Sequence, residues 1–215
     1  MSPTCRRRTA SPSAAGKPPV ASPSVGVLAL QGDVREHVHA LRSLGADVVE
    51  VRRPRELAAV GGLVIPGGES SVIDKLSRLF DLAGPIRGRI RAGMPVFGTC
   101  AGMICLADSL RDAIDGQETF GGLDMVVRRN AFGPQTESFE VDLDVPVLEG
   151  PPVHAVFIRA PVVEEVGPEV RVLAALPDGR VVAVEQGGLL ATSFHPEMNG
   201  ELRFHERFLD RVHAA

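Results

Sequence analysis

The chain has 215 residues, 44% of them hydrophobic, with no Trp and no Tyr: enough to bury one full core, and an ordinary composition for a globular protein. A formal charge of −4 and a pI near 5.9 offer no basic stripe for nucleic acid, so a small-molecule substrate is expected. No apolar run is long enough to cross a bilayer, and the three cysteines form neither an even disulfide framework nor a metal-ligand spacing. These features point to a cytoplasmic protein with no membrane segment, no metal and no cofactor.

Residues 1–24 contain Ser11-Pro12-Ser13, Lys17-Pro18-Pro19 and Ser22-Pro23-Ser24 with few large apolar groups, so they read as a flexible extension. Arg6-Arg7-Arg8 there reads as part of a solvated tail, and the absence of an apolar segment beside it argues against a secretory signal. The folded domain is expected over 25–215. Val25 to Leu30 is a continuous apolar run of the kind found in a parallel strand covered on both faces. Gln31-Gly32 turns the chain, Asp33 with Glu36 makes a capping-box-like start, and Val34, Val38, Leu41 and Leu44 recur at helical spacing until Gly45. Asp47 to Val51 then reads as a second strand, Arg55 to Val60 as a short helix and Leu63 to Ile65 as a third strand. That alternation predicts a doubly wound, flavodoxin-like α/β sheet in three layers, as a single domain.

Pro66-Gly67-Gly68-Glu69-Ser70-Ser71 follows the third strand and opens a helix marked by Ile73, Leu76, Leu79 and Phe80, with Ser70 or Ser71 as its cap. A Gly-rich turn at the carboxyl end of a parallel strand is a ligand-binding position, but this one lacks the Lys of a P-loop and the third Gly of a dinucleotide fingerprint. An oxyanion or substrate-binding turn is therefore the better reading. A helix from about Pro85 to Ala92 leads to Val96-Phe97, and Gly98-Thr99-Cys100-Ala101-Gly102 then stands between a buried strand and a helix-like stretch. This is the setting of a nucleophile elbow, with small residues flanking a tight turn and a thiol at a helix N-terminus. The pentapeptide alone fits a buried structural cysteine equally well.

The second half changes rhythm, with strands expected at Met125 to Val127, Phe139 to Leu143 and Leu189 to Phe194. A hairpin is expected from Val170 to Glu185 through Pro177-Asp178-Gly179, and a closing amphipathic helix carries Phe204, Phe208, Leu209 and Val212. Just past the strand ending at Phe194 stand His195, Pro196 and Glu197. In extended backbone, residues two apart share a side, so Glu197 can bond the His195 ring and fix its tautomer for a nucleophile. Elbow, Gly-Gly turn and His-x-Glu, all at expected strand ends, favour nucleophilic catalysis over three unrelated loops.

These blocks resemble the class I (triad) glutamine amidotransferases and, among them, the family of glutaminase subunits of the two-component pyridoxal 5′-phosphate synthase. The likeness runs from Val25 to about Leu209, through Gly26 to His37, Pro66 to Ser70, Phe97 to Gly102, Arg129-Asn130-Ala131-Phe132-Gly133, Phe157-Ile158-Arg159-Ala160-Pro161 and Ser193 to Glu197. It implies hydrolysis of L-glutamine to glutamate and ammonia, with Cys100 as nucleophile, His195 as acid-base and Glu197 as its orienting partner. The resemblance further implies that backbone N–H groups of Gly68 and Ala101 form the oxyanion site, and that Gly68, Glu69, Ser70, Arg129, Ile158 and Arg159 contact glutamine. It also implies a partner: a ring-forming synthase subunit that receives the ammonia. The sequence departs from the family pattern at Arg128, at Pro134 and at Ser71-Val72, none of them a catalytic position. A hydrolase feeding another pathway and an inactive binding subunit are the rival readings, and the complete Cys100, His195 and Glu197 set argues against the latter.

Overall fold

The computed structural model describes residues 23–129 and 138–215, so the expected extension at residues 1–22 and the block from Asn130 to Pro134 lie outside the described residues. The first four-residue run, Val25–Leu28 (β1), is buried throughout and leads through the Gln31-Gly32 turn into Val34–Ser43 (α1). That helix buries Val38 and Leu41 and ends where Gly45, at φ 81°, lets the N–H groups of Gly45 and Ala46 reach the carbonyls of Arg42 and Leu41. Asp33 does occupy the N-cap position, but its side chain makes no capping bond there. Val48–Val51 (β2), the short Pro54–Ala58 (α2) and Gly62–Ile65 (β3) complete the strand-helix alternation.

Ser70–Leu79 (α3) follows the Gly-Gly turn. Its N-cap is Glu69 rather than a serine, and no side chain caps it; Ser71 Oγ instead donates to Glu69 Oε1 at 3.1 Å. Ala83–Arg91 (α4) leads into Val96–Thr99 (β4), and the elbow into Ala101–Leu106 (α5), which is only six residues long. Ala107–Arg111 (β5) and Leu123–Arg128 (β6) pair in parallel, and Ser138–Leu143 (β7) pairs antiparallel with Val153–Ile158 (β8) in a ribbon of their own. Val162–Val166 (β9), the expected hairpin of Arg171–Ala175 (β10) with Val181–Gln186 (β11), then Leu189–Thr192 (β12) and Arg203–Ala214 (α6) close the chain.

The large sheet runs β2-β1-β3-β4-β12-β11-β9-β6-β5, with β10 paired to β11. Its first five strands are parallel, and antiparallel pairings of β11 with β12 and β9 then extend it, so the doubly wound half carries a mixed extension. One face is covered by α2, α3, α4 and α5 through Leu57, Ile73, Ile86 and Met103. The other is covered by α1, α6 and the ribbon through Leu41, Phe204, Phe208 and Phe157. These side chains are almost fully buried, each stabilising the fold by about 1.5–3 kcal/mol of transfer energy; a Phe208→Ala change would cost about 3–5 kcal/mol. Because β1 lies between β2 and β3, the strand order reverses at β1 and β3, and their carboxyl ends form the crevice where such sheets bind ligands. Among the described residues no helix is long and apolar enough to cross a membrane.

Candidate active site

The ends of several strands supply the site. Parallel pairing sets Thr99 opposite Thr192 and Ile65 opposite Gly98, so the residues just past β3, β4 and β12 emerge at one edge of the sheet. The Cys100 N–H donates to the Thr192 carbonyl at 2.8 Å, tying the Cys100 segment to the His195 segment. Cys100 itself sits at φ 48° and ψ −102°, a strained conformation for a residue with a Cβ, and its neighbours must be small for steric reasons. A Cβ on Gly98 would lie 2.6 Å from the Gly102 backbone, and one on Gly102 only 2.1 Å from the Ile65 carbonyl oxygen. As the first residue of α5, Ala101 has an N–H without an intrahelical partner.

His195 is buried with its Nδ1 2.8 Å from Glu197 Oε1, and the Cys100 side chain is among the groups that raise its pKa. The sequence expectation joined these two residues through extended backbone. In the structure they meet because Pro196–Met198 forms a single 3-10 turn that folds Glu197 back under the ring. A second carboxylate shares the same nitrogen, with Asp33 Oδ2 3.3 Å from His195 Nδ1. Burial works against a charge on His195, but its bonds to Asp33, Cys100 and Glu197 prevail and push its pKa up to about 12. Burial likewise opposes ionisation of Glu197, yet the charge of His37 and the bonds from His195 and His37 hold the carboxyl well below the usual carboxylate range. The result is a buried imidazolium-carboxylate pair beside the Cys100 side chain.

A narrow pocket adjoins the thiol. It gathers all six residues expected to contact substrate, namely Gly68, Glu69, Ser70, Arg129, Ile158 and Arg159, with Ile104 from α5 as an addition. Its free volume is about 30 Å³, about the space of one water. A roomier surface cavity of about 500 Å³ lies at the ends of β1 and β2 between Arg52, Glu56 and Phe80, but it holds none of the triad. Within the narrow pocket Arg129 is 7% exposed and donates to Glu69 Oε1 and to Gln117 Oε1, both at 2.8 Å, while its Nε is left without a partner. The Ile158 carbonyl lies 4.0 Å from the Cys100 sulfur, and Arg159 stands at φ 47° beside it. In the Gly-Gly turn, the Glu69 N–H donates to Gln31 Oε1 at 2.8 Å and the Gly67 carbonyl accepts from the Asp33 N–H at 3.2 Å. Gly68, at φ 148°, keeps its N–H uncommitted among the described residues.

Comparison with known proteins agrees with this geometry. The sequence profile of the SNO glutamine amidotransferase family matches residues 27–214. The chain belongs to this family. It is 67% identical over 193 residues to the pyridoxal 5′-phosphate synthase subunit PdxT of Leifsonia xyli subsp. xyli, covering 90% of this chain and 98% of that one. It is 66% identical over 193 residues to the subunit of the same name from Clavibacter michiganensis subsp. michiganensis, with 90% and 92% covered. A crystal structure of a glutamine amidotransferase superposes with a TM-score of 0.81 at 48% identity, over 87% of this chain and 98% of that one.

Several residues of this amidotransferase site escaped the sequence reading. Asp33 looked like a helix cap, Gln31 like a turn residue, and Gln117, which also donates to Ser70 Oγ at 3.1 Å, lay in a stretch without periodicity. The position of Gln31 and Asp33 at the strand-order reversal was the available signal; Gln117 had none. Two of the departures from the family pattern now have surroundings. Arg128 donates to Glu164 and pairs with Asp112 at 2.7 Å on the outer edge of the sheet, and Ser71 steadies Glu69. Pro134 lies outside the described residues.

Proposed function

We propose that this chain hydrolyses L-glutamine through Cys100, His195 and Glu197 and delivers the ammonia to the synthase subunit of a pyridoxal 5′-phosphate synthase in the cytoplasm. The observation that carries the reading is the strained elbow cysteine, tied through its N–H to the end of the strand before a histidine whose Nδ1 lies 2.8 Å from a buried carboxylate. The Cys100 thiolate attacks the side-chain carboxamide carbon, and the oxygen takes the charge of the tetrahedral intermediate. The N–H groups of Ala101 and Gly68 receive that charge; loss of one such donor typically costs about 2.7–4 kcal/mol of barrier. Collapse breaks the C–N bond, and the His195 imidazolium hands its proton to the departing nitrogen. The neutral imidazole then takes a proton from water, whose oxygen attacks the γ-glutamyl thioester, releasing glutamate and restoring thiolate and imidazolium. Glu197 orients the ring and balances its charge at every stage.

Glu69 and Arg129 answer the two charges of an α-amino acid, the carboxylate facing its ammonium and the guanidinium its carboxylate. In the structure they pair with each other at 2.8 Å, so substrate binding exchanges that ion pair for two of its own. Ammonia released into water is protonated and lost as a nucleophile, which is why a docked acceptor is part of this reading; the relatives named as synthase subunits support it. The test is ammonia release from glutamine by wild type and Cys100→Ala, each with and without the cognate synthase subunit. Wild type with synthase is expected to be active, Cys100→Ala inactive, and wild type alone slow. Activity that survives the substitution refutes the chemistry, and full activity without synthase refutes the coupling.

A further inference from the structure

The mechanism leaves unused a buried histidine pair behind the triad. His37 of α1 and His205 of α6 are both fully buried, with His37 Nδ1 2.9 Å from His205 Nε2. The other nitrogen of His37, Nε2, lies 3.0 Å from Thr99 Oγ1 and 3.5 Å from Glu197 Oε1. Thr99 is the residue immediately before the nucleophile, and Glu197 Oε1 is the same oxygen that holds His195. One imidazole thus touches both chain segments that carry the triad.

We propose that His37 is a positioning residue for glutamine hydrolysis, its Nε2–H shared between Glu197 Oε1 and Thr99 Oγ1 so that carboxylate and elbow are held in mutual register. The inference rests on the reading of Glu197 as the partner of His195. The carboxylate needs such a brace, because Glu197 is buried and its Oε2 has no hydrogen-bond partner among the described residues. With two imidazoles on Oε1 the carboxyl group has one orientation; with His195 alone it is free to turn about that single bond, taking the ring with it. An unbraced buried carboxylate also protonates more readily, which would remove the anion that His195 requires.

His205 closes the far side of His37, its Nε2 2.9 Å from His37 Nδ1, and is packed so tightly that its own Nδ1 has no hydrogen-bond partner among the described residues. Burial, reinforced by repulsion from His37, pushes the pKa of His205 down to about 3, so it remains neutral. The ring edges of His37 and His205 pack against Phe97, with centroids 6.3 and 5.4 Å away, which fixes both planes. The brace is therefore rigid, as a positioning group must be.

Two polar replacements of the same chemistry separate this role from a merely structural one. The amide nitrogen of His37→Gln reaches the position of Nε2 and can still donate to Glu197, whereas that of His37→Asn reaches only the position of Nδ1. With the synthase subunit present, His37→Asn is expected to lower kcat about 10- to 100-fold, the scale known for orienting partners behind metal-binding histidines, with KM within about twofold. His37→Gln is expected to recover kcat to within about threefold of wild type, although both variants lose stability. In a Glu197→Ala background, His37→Asn is expected to change kcat no further, because the carboxylate it positions is gone. Equal kcat for the Asn and Gln variants, or effects that multiply in the double variant, overturns the proposal. Undiminished activity of Glu197→Ala alone instead overturns the triad reading beneath it.

Discussion

Gly67 offers a clean perturbation of His195, the proposed acid-base residue. Its φ lies outside the left-handed region, so alanine is tolerated by the backbone, but a Cβ there would lie 2.3 Å from His195 Cε1 and 2.9 Å from both His195 Nδ1 and Asp33 Oδ2. Ordinary contact begins near 3.4 Å, so the imidazole has to retreat by about 1 Å. The ring is buried and held by Glu197, hence most of this movement changes its distance and angle to Cys100. Misplacement by about 1 Å costs about 100-fold in rate, equivalent to about 2.7 kcal/mol of barrier. Overpacking of this kind adds about 1–3 kcal/mol of destabilisation, a few degrees of Tm for a chain of this size. Steady-state glutaminase assays with the synthase present, beside a thermal melt, should give Gly67→Ala a kcat about 100-fold down with KM little changed. A folded variant with kcat within threefold of wild type would refute the claim that this turn abuts the working histidine.

The raised pKa of His195 and the lowered one of Glu197 set a pH signature. Folded-state stability from the His195 charge is complete below its unfolded value near 6.5 and declines progressively as pH rises from there to about 12, while that from Glu197 is complete above about 4.5 and declines progressively as pH falls from there toward its lowered value. Glu197→Gln removes the shorter and more buried of the two carboxylate contacts, so the alkaline limb of kcat/KM should move to lower pH, and Asp33→Asn should move it the same way by less. An unmoved limb in both variants would show that neither carboxylate governs the ring. Burial pushes the Cys105 thiol far above the normal range, so iodoacetamide at pH 8 should label Cys100 of the native protein and leave Cys105 unmodified until denaturant is added; peptide mass mapping reads this directly. Arg129→Lys keeps a charge but loses the fork that bonds Glu69 and Gln117 together, and should raise KM for glutamine about 10-fold or more with a smaller effect on kcat. A KM equal to wild type would remove Arg129 from substrate binding.

How much of this was legible in the sequence differs between the two halves for physical reasons. β1, β3 and β4 are short apolar runs buried on both faces, and the helices between them carry their apolar stripe at the helical period, so the first half announces itself. In the second half β5 is an exposed edge with the sequence Ala-Asp-Ser-Leu-Arg, and the far end of β9 carries Glu164 and Glu165; neither has enough buried apolar surface to give a strand signal. β8 does alternate, with Val153, Ala155 and Phe157 turned inward, but it pairs with a ribbon rather than the main sheet, and the pattern does not reveal its partner. Local chemistry misled in one instructive place. A short acidic residue before a helix satisfies every local requirement of a cap, yet Asp33 turns its carboxylate to a histidine that arrives from the far end of the chain. Likewise His195 and Glu197 do meet, but by a 3-10 turn and not by strand alternation.

The site therefore belongs to the edge of the parallel sheet more than to any one motif. Thr99 opposite Thr192 aligns the elbow with the histidine segment, and the close approach of Gly102 to the Ile65 carbonyl sets how near the elbow stands to the Gly-Gly turn. A side chain at Gly98 or Gly102 would push backbone against backbone, so it must disturb packing and chemistry together. Gly67, Asp33 and His37 differ because each meets the triad through side-chain atoms, with the strand register left alone. Substitutions in the first group should lower stability and kcat in step, while those in the second should lower kcat by more than their loss of stability explains. That division follows from what the new atoms strike, backbone in the first group and side-chain ends in the second.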